Sequence, residues 1–297
     1  MTRLATVVTL LAATCASAQY VRTEVEDAGH QLCVTWTRRN FTYHVDSAGS
    51  ARTPGGAEFT AIESAFATWQ AVSNDCSDFT FTRGADVVAP RTGKRTTSEN
   101  DIIWRERSCD GIVPEGDPCW RDENKNCSSV YSCWPHAFGV LALTTVTHST
   151  RTGAIYDADI ELGGVNHLFT TVSSPRCAPG KEAVTCVATD VQNTMTHEIG
   201  HVLGFAHVED PESTMYAYAE DGELTKRVVD RGTIEGFCTT YPRGEPPLPC
   251  DPAQQAQRSI TARGGGTPKS SQLGCSSVLG GPLALAVLLR CRRRRLG

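Results

Sequence analysis

The chain has 297 residues, 40% hydrophobic and 21% charged, enough for one large domain or two small ones with a core of ordinary size. Between Gln19 and Gly274 lie 22 basic against 33 acidic residues, a net of −11. That balance disfavours nucleic-acid binding through a basic face.

Residues 1–18 join Arg3, the apolar run Leu4 to Ala13 and the small-residue site Ala16-Ser17-Ala18. This is the build of a secretory signal peptide cut before Gln19. Export agrees with the cysteines. Of 13, ten fall in the body: Cys33, Cys76, Cys109, Cys119, Cys127, Cys133, Cys177, Cys186, Cys238 and Cys250. An even number implies up to five disulfides, and only the local Cys177–Cys186 pair can be assigned. No C-x-x-C pair is present, which argues against a structural zinc-thiolate knuckle.

Phe41 to Val45 alternates like a first strand. Residues 57–72 then place Phe59, Ile62, Phe66, Trp69 and Val72 on one face of a long amphipathic helix. Phe79 to Thr82 and Asp101 to Trp104 read as two more strands. Cys109 to Cys133 reads as a disulfide-stapled insert whose two Cys-Trp pairs predict a short hairpin. Val140–Val146 and Ile155–Leu162 alternate as a strand pair, Val187–Leu203 is helical, and Val229–Tyr241 is a closing helix. From Pro242 to Leu273 the chain is rich in Pro, Gly, Gln and Ser without apolar period, as in a solvated linker.

The chemistry concentrates in residues 194–218, TMTHEIGHVLGFAHVEDPESTMYAY. His197 and His201, four apart on a helix, project from one face and can grip one ion. Gly204 ends the helix cheaply in the left-handed conformation, and the chain returns with His207 as a third ligand. Three protein ligands leave a position for water, as in catalytic zinc sites. Glu198 follows the first ligand and would sit beside the ion without needing to bind it.

H-E-x-x-H-x-x-G-x-x-H followed by Met215 resembles the metzincin signature with its Met-turn. The eight-residue step from His207 to Met215, the run VLALTTVTHSTRTGAIYDADIELGG and the closing helix resemble the matrixin branch of that class. The resemblance implies an α+β fold over 19–242: a twisted, mostly parallel sheet of about five strands, three main helices and a disulfide-rich insert. It implies a monomeric zinc endopeptidase acting on proteins or peptides, with one catalytic zinc on His197, His201 and His207. Glu198 would be the base and Met215 the floor. The alternative is a metzincin-fold surface binding or adhesion protein that cuts nothing.

Several residues depart from the matrixin pattern. Val208 stands where serine is usual, and the candidate pocket wall reads Tyr216-Ala217-Tyr218 without the usual proline. Ala217 leaves no tyrosine fifth ligand, and Ile155 replaces a histidine of the second zinc site, so no second zinc is expected. Asp157, Asp159 and Glu161 alternate along one strand, as calcium ligands or as solvated edge charges. Ser174-Pro175-Arg176-Cys177 resembles the latency switch of matrixin zymogens. It lies inside the domain with Cys186 nine residues on, which favours a disulfide. A propeptide is not expected between Gln19 and the first strand, so latency through a cysteine switch is unsupported.

The other end, residues 275–297 after a linker at 243–274, has Gly274-Cys275, the apolar run Val278 to Leu289 and five arginines in 290–295. Twelve apolar residues fall short of the ~20 of a relaxed membrane span, yet the basic cluster marks a membrane anchor. This end resembles the MYXO-CTERM bacterial sorting tails, implying attachment at the cell surface after processing.

Overall fold

The computed structural model describes residues 20–27, 30–90, 92, 99–121, 127–248 and 250, with the backbone alone of 278–280 and 284–291. The expected signal peptide, nearly all of the linker beyond residue 250 and the side chains of the tail lie outside the described residues.

The core of the sheet has five strands: β1 (Asn40–Val45), β2 (Thr80–Arg83), β3 (Asn100–Trp104), β4 (Val140–His148) and β5 (Ile155–Leu162). Their order is β2-β1-β3-β5-β4, and only β4 runs antiparallel to its neighbour. The mostly parallel α+β sheet expected from the sequence is therefore present. Beyond β4, the backbone of Ala284–Cys291 runs antiparallel to it, and Arg290–Cys291 runs parallel to Tyr218–Ala219. Among the described residues no helix is long and apolar enough to cross a membrane.

The sheet is buried because helix α1 (Ala57–Cys76) covers it with the predicted stripe, four residues longer than the pattern indicated. Ile62, Phe66 and Trp69 are fully buried, whereas Phe59 and Val72 are partly covered. Phe66 stacks on Tyr43 of β1 with ring centroids 3.7 Å apart. Buried aromatic pairs of this kind add about 0.5–1.5 kcal/mol beyond their area.

Helix α2 (Val191–Val202) lies between α1 and β4, and helix α3 (Arg231–Thr240) closes the domain. Both begin later than the apolar pattern suggests, and an aspartate sets each start. Asp190, with extended backbone, accepts from Asn193 N at 2.7 Å. Asp230 accepts from Gly232 N and Thr233 N at 2.8 and 3.1 Å. Such N-caps satisfy amides that the helix leaves open.

All ten body cysteines are paired: Cys33–Cys250, Cys76–Cys238, Cys109–Cys133, Cys119–Cys127 and Cys177–Cys186. Cys76–Cys238 ties α1 to α3. The insert is stapled as expected, but the hairpin reading is corrected. Among its described residues Pro118–Trp120 and Cys127–Tyr131 are helical turns, and the paired cysteines pack inward on each other.

An N-terminal strap that the sequence reading missed crosses the end of α2. Val21–Arg22 pairs antiparallel with Phe205–Ala206, and Thr23 N donates to Gly204 O at 2.7 Å. Gly204 has φ +89°, and a Cβ there would sit 2.5 Å from Val34 O. Glycine is required both for the left-handed turn and for this approach.

Candidate active site

Three rings converge at the end of α2, those of His197 and His201 buried and that of His207 half-buried. The Nε2 atoms of His197, His201 and His207 are 3.0, 3.1 and 3.3 Å apart. His197 and His201 come from successive turns of α2, and His207 returns after the Gly204 turn. His197 Nδ1 donates to Thr214 O at 2.6 Å and His201 Nδ1 donates to Phe205 O at 2.7 Å. With those protons on Nδ1, the Nε2 lone pairs of both rings face one another. Without a cation they would repel. A tetrahedral zinc at about 2.0–2.1 Å from each nitrogen requires roughly 3.3 Å between nitrogens, which the triad matches. The donor set fits zinc.

Electrostatics favours the same state. Burial holds His197 and His201 well below the usual imidazole range, and neighbouring rings push them further. Burial and the charge of Lys226 bring His207 to about 4. Neutral imidazoles are the metal-binding form.

Glu198 is fully buried beside the triad. Its Oε2 accepts from Thr144 Oγ1 of β4 at 2.5 Å, while Oε1 has no partner. Burial pushes the carboxyl up to about 8, with the Thr144 hydrogen bond acting against it. A divalent cation beside it would favour the carboxylate. An unpartnered carboxylate oxygen next to three converging ring nitrogens can orient a water and take its proton.

Met215 lies fully buried under α2. A Cβ on Gly200 would fall 2.2 Å from Met215 Sδ, so the Gly200 position is what admits the thioether. Sequence reasoning missed Gly200, although a glycine inside a helix costs about 1 kcal/mol against alanine and is a signal of close approach. The turn itself is fixed by Ser213 Oγ, which accepts from Met215 N at 3.1 Å. Asp230 Oδ2 accepts from Thr214 N and Ser213 Oγ at 2.8 and 3.0 Å. One carboxylate therefore both caps α3 and pins the Met-turn.

The end of α2 is satisfied from outside. Trp69 Nε1 donates to Thr196 O at 2.9 Å, Trp36 Nε1 to Val202 O at 2.8 Å, and Tyr241 Oη to Leu203 O at 2.8 Å. Tyr216 and Tyr218 are partly exposed around the buried Ala217, with ring centroids 5.4 Å apart.

The solvated-edge reading of the acidic strand is corrected. Asp157, Asp159 and Glu161 are not solvated edge charges: each is 1–2% exposed. Nor are they gathered as a three-residue calcium set. The groups of metal-ligating side chains among the described residues are the histidine triad and Glu24-Cys33-Cys250, whose sulfurs form a disulfide. Glu161 accepts from Arg105 Nε at 2.5 Å in a buried ion pair, and Asp159 accepts from Asp101 N at 2.9 Å. Burial raises Asp157 to about 7, with a hydrogen bond to Asp159 opposing and the charges of Asp101 and Glu99 reinforcing. Cys177, in the segment resembling a latency switch, is bonded to Cys186.

No curated protein matches the chain. The family model of the matrixins, a zinc-dependent peptidase family, matches residues 115–241, which hold the β4–β5 pair, the histidine triad, the Met-turn and α3. This match supports a matrixin-like zinc metallopeptidase, a hydrolase of proteins or peptides.

Proposed function

We propose that residues 19–242 form a monomeric, exported zinc endopeptidase. The observation that carries this reading is the convergence of three Nε2 atoms beside the unpartnered Glu198 Oε1. Zinc held by His197, His201 and His207 would lower the pKa of its water towards neutrality and polarise the scissile carbonyl. Glu198 Oε1 takes the proton of the attacking water and later delivers it to the departing amine. Thr144 orients the carboxylate through Oε2, leaving Oε1 for the water. Carbonyls of Thr214 and Phe205 hold the rings of His197 and His201 in the metal-binding tautomer. No serine or cysteine nucleophile is required.

Five disulfides support an oxidising compartment. With the signal-like first 18 residues and the Arg-rich tail, they support a protein carried to the cell surface or beyond it. Calcium has no assembled three-residue site in this reading.

The test is cleavage of an unfolded protein by the purified chain. Activity is expected to vanish on dialysis against a zinc chelator and to return with stoichiometric zinc. Zinc bound at one per chain without cleavage of any substrate would favour the non-catalytic binding protein instead.

A further inference from the structure

The backbone of Ala284–Cys291 lies between two parts of the chain that flank the candidate site. It runs antiparallel to β4, from Leu285 opposite Val146 to Arg290 opposite Val140, and parallel to Tyr218–Ala219 on its other side. Among the described residues it is what covers the outer edge of β4. Val278–Gly280 pairs antiparallel with Ala284–Ala286, so the segment arrives as a hairpin. An open strand edge accepts a further strand through its unpaired N–H and C=O groups, and here the chain's own tail supplies it.

Both flanks belong to the surroundings of the triad. Thr144 of β4, whose hydroxyl donates to Glu198, stands opposite Val287 in the ladder. Tyr218–Ala219 follows closely on Met215, and the tail backbone also passes beside α2. A strand bonded to both flanks crosses the mouth of the site. Glu198 Oε1, the atom that has to meet water, is buried without a partner in this arrangement. We propose that residues 278–291 are an intramolecular plug, and that the full-length chain is latent for as long as this segment stays paired. This rests on the endopeptidase reading above.

Charge and tethering favour this occupant over a foreign peptide. The register sets Arg290 against Tyr218 and Cys291 against Ala219. One further step in the same parallel direction would set the sequence Arg292-Arg293 against Glu220-Asp221, which has the opposite charge. Cys250 is fixed to Cys33, and Val278 comes only 28 positions later. A tether of that length gives an effective concentration on the order of 1 mM. A segment that bound as a free peptide with a Kd of about 100 µM would then lower activity about 10-fold. The apolar run Val278 to Leu289 cannot pair in this gap and lie in a membrane at once, so anchoring the tail would open the site.

The test compares the zinc-loaded full chain with a variant carrying Val287→Pro and Leu288→Pro. Adjacent prolines remove an N–H towards each flank and leave the catalytic body unchanged. The variant is expected to cleave a peptide with kcat/KM about 10-fold higher than wild type, through KM with kcat unchanged, because a plug competes with substrate. Amide exchange along β4 should be slow in wild type and faster in the variant. Arg292→Glu with Arg293→Glu should give a smaller gain of the same kind. Equal kcat/KM in wild type and the proline variant would overturn the proposal. So would a wild-type activity per chain that rises on dilution, since the plug would then come from a second copy. If neither chain cleaves any substrate, amide exchange decides. A difference along β4 would keep the plug and sink the endopeptidase reading, whereas no difference would remove the plug as well.

Discussion

At the residue scale, the buried acids separate into those paired with a base and those set among other acids. Glu161 is neutralised by Arg105, whereas Asp157 is buried with a hydrogen bond to Asp159 and within reach of the charges of Asp101 and Glu99. Its folded pKa of about 7 lies above the ordinary aspartate value, so the native state prefers the protonated acid. The stabilisation is complete below about pH 4 and is lost as pH rises through 7. Asp157→Asn is therefore expected to be more stable than wild type at pH 8, by on the order of 1 kcal/mol or more, with the gap closing at pH 4. Denaturant titrations at the two pH values check this. Equal stability of variant and wild type at pH 8 would show that Asp157 is ionised at no cost, as it would be with a bound cation. Gly200 permits an equally direct test. Gly200→Ala ordinarily favours a helix, but here the added methyl meets Met215 Sδ. Lower thermal stability and weaker zinc retention are expected, where an unobstructed helix site would gain stability.

At the scale of elements, α2 works because its ends are held by other parts of the chain. Asp230 gives the clearest consequence. Burial alone would raise its carboxyl, but hydrogen bonds from Thr233, Thr214 and Ser213 hold it below the usual carboxylate range. A depressed folded pKa contributes stability above the unfolded value and loses it as pH falls through the folded one. Asp230→Ala should cost about 1–3 kcal/mol near neutrality, measured by chemical denaturation, and less in acid. The elements themselves were largely legible. The stripe of α1, the β4–β5 alternation and the triad spacing are local patterns that survive folding unchanged. What was not legible depends on distant partners. The late start of α2 follows from the pairing of Thr189 with Phe169, although the Asp190 cap was readable. Thr144 as the partner of Glu198 and Asp230 beneath the Met-turn are contacts across 54 and 16 residues, respectively, and no local pattern announces them. The alternation of Asp157, Asp159 and Glu161 had a true period, but it gave no sign that this strand face is covered.

At the scale of the molecule, the site sits where sheet, α2 and C-terminal part meet, and the long-range disulfides hold those parts together. Cys76–Cys238 closes 162 residues of sequence and Cys33–Cys250 closes 217. Closing loops of that size stabilises by about 2–5 kcal/mol each. Replacing both Cys76 and Cys238 by serine should lower the melting temperature markedly, whereas replacing Cys177 and Cys186, which close only nine residues, should lower it less. Calorimetry of the two variants separates these outcomes. In the proposed mechanism the triad holds a zinc and Glu198 moves the proton. The most direct measurement is hydrolysis of one unfolded protein by wild type and Glu198→Ala, each with its zinc content determined. One zinc per chain is expected in both, with a rate lower by about 10²–10⁴-fold in the variant. A zinc-loaded Glu198→Ala that cleaves at the wild-type rate would contradict it.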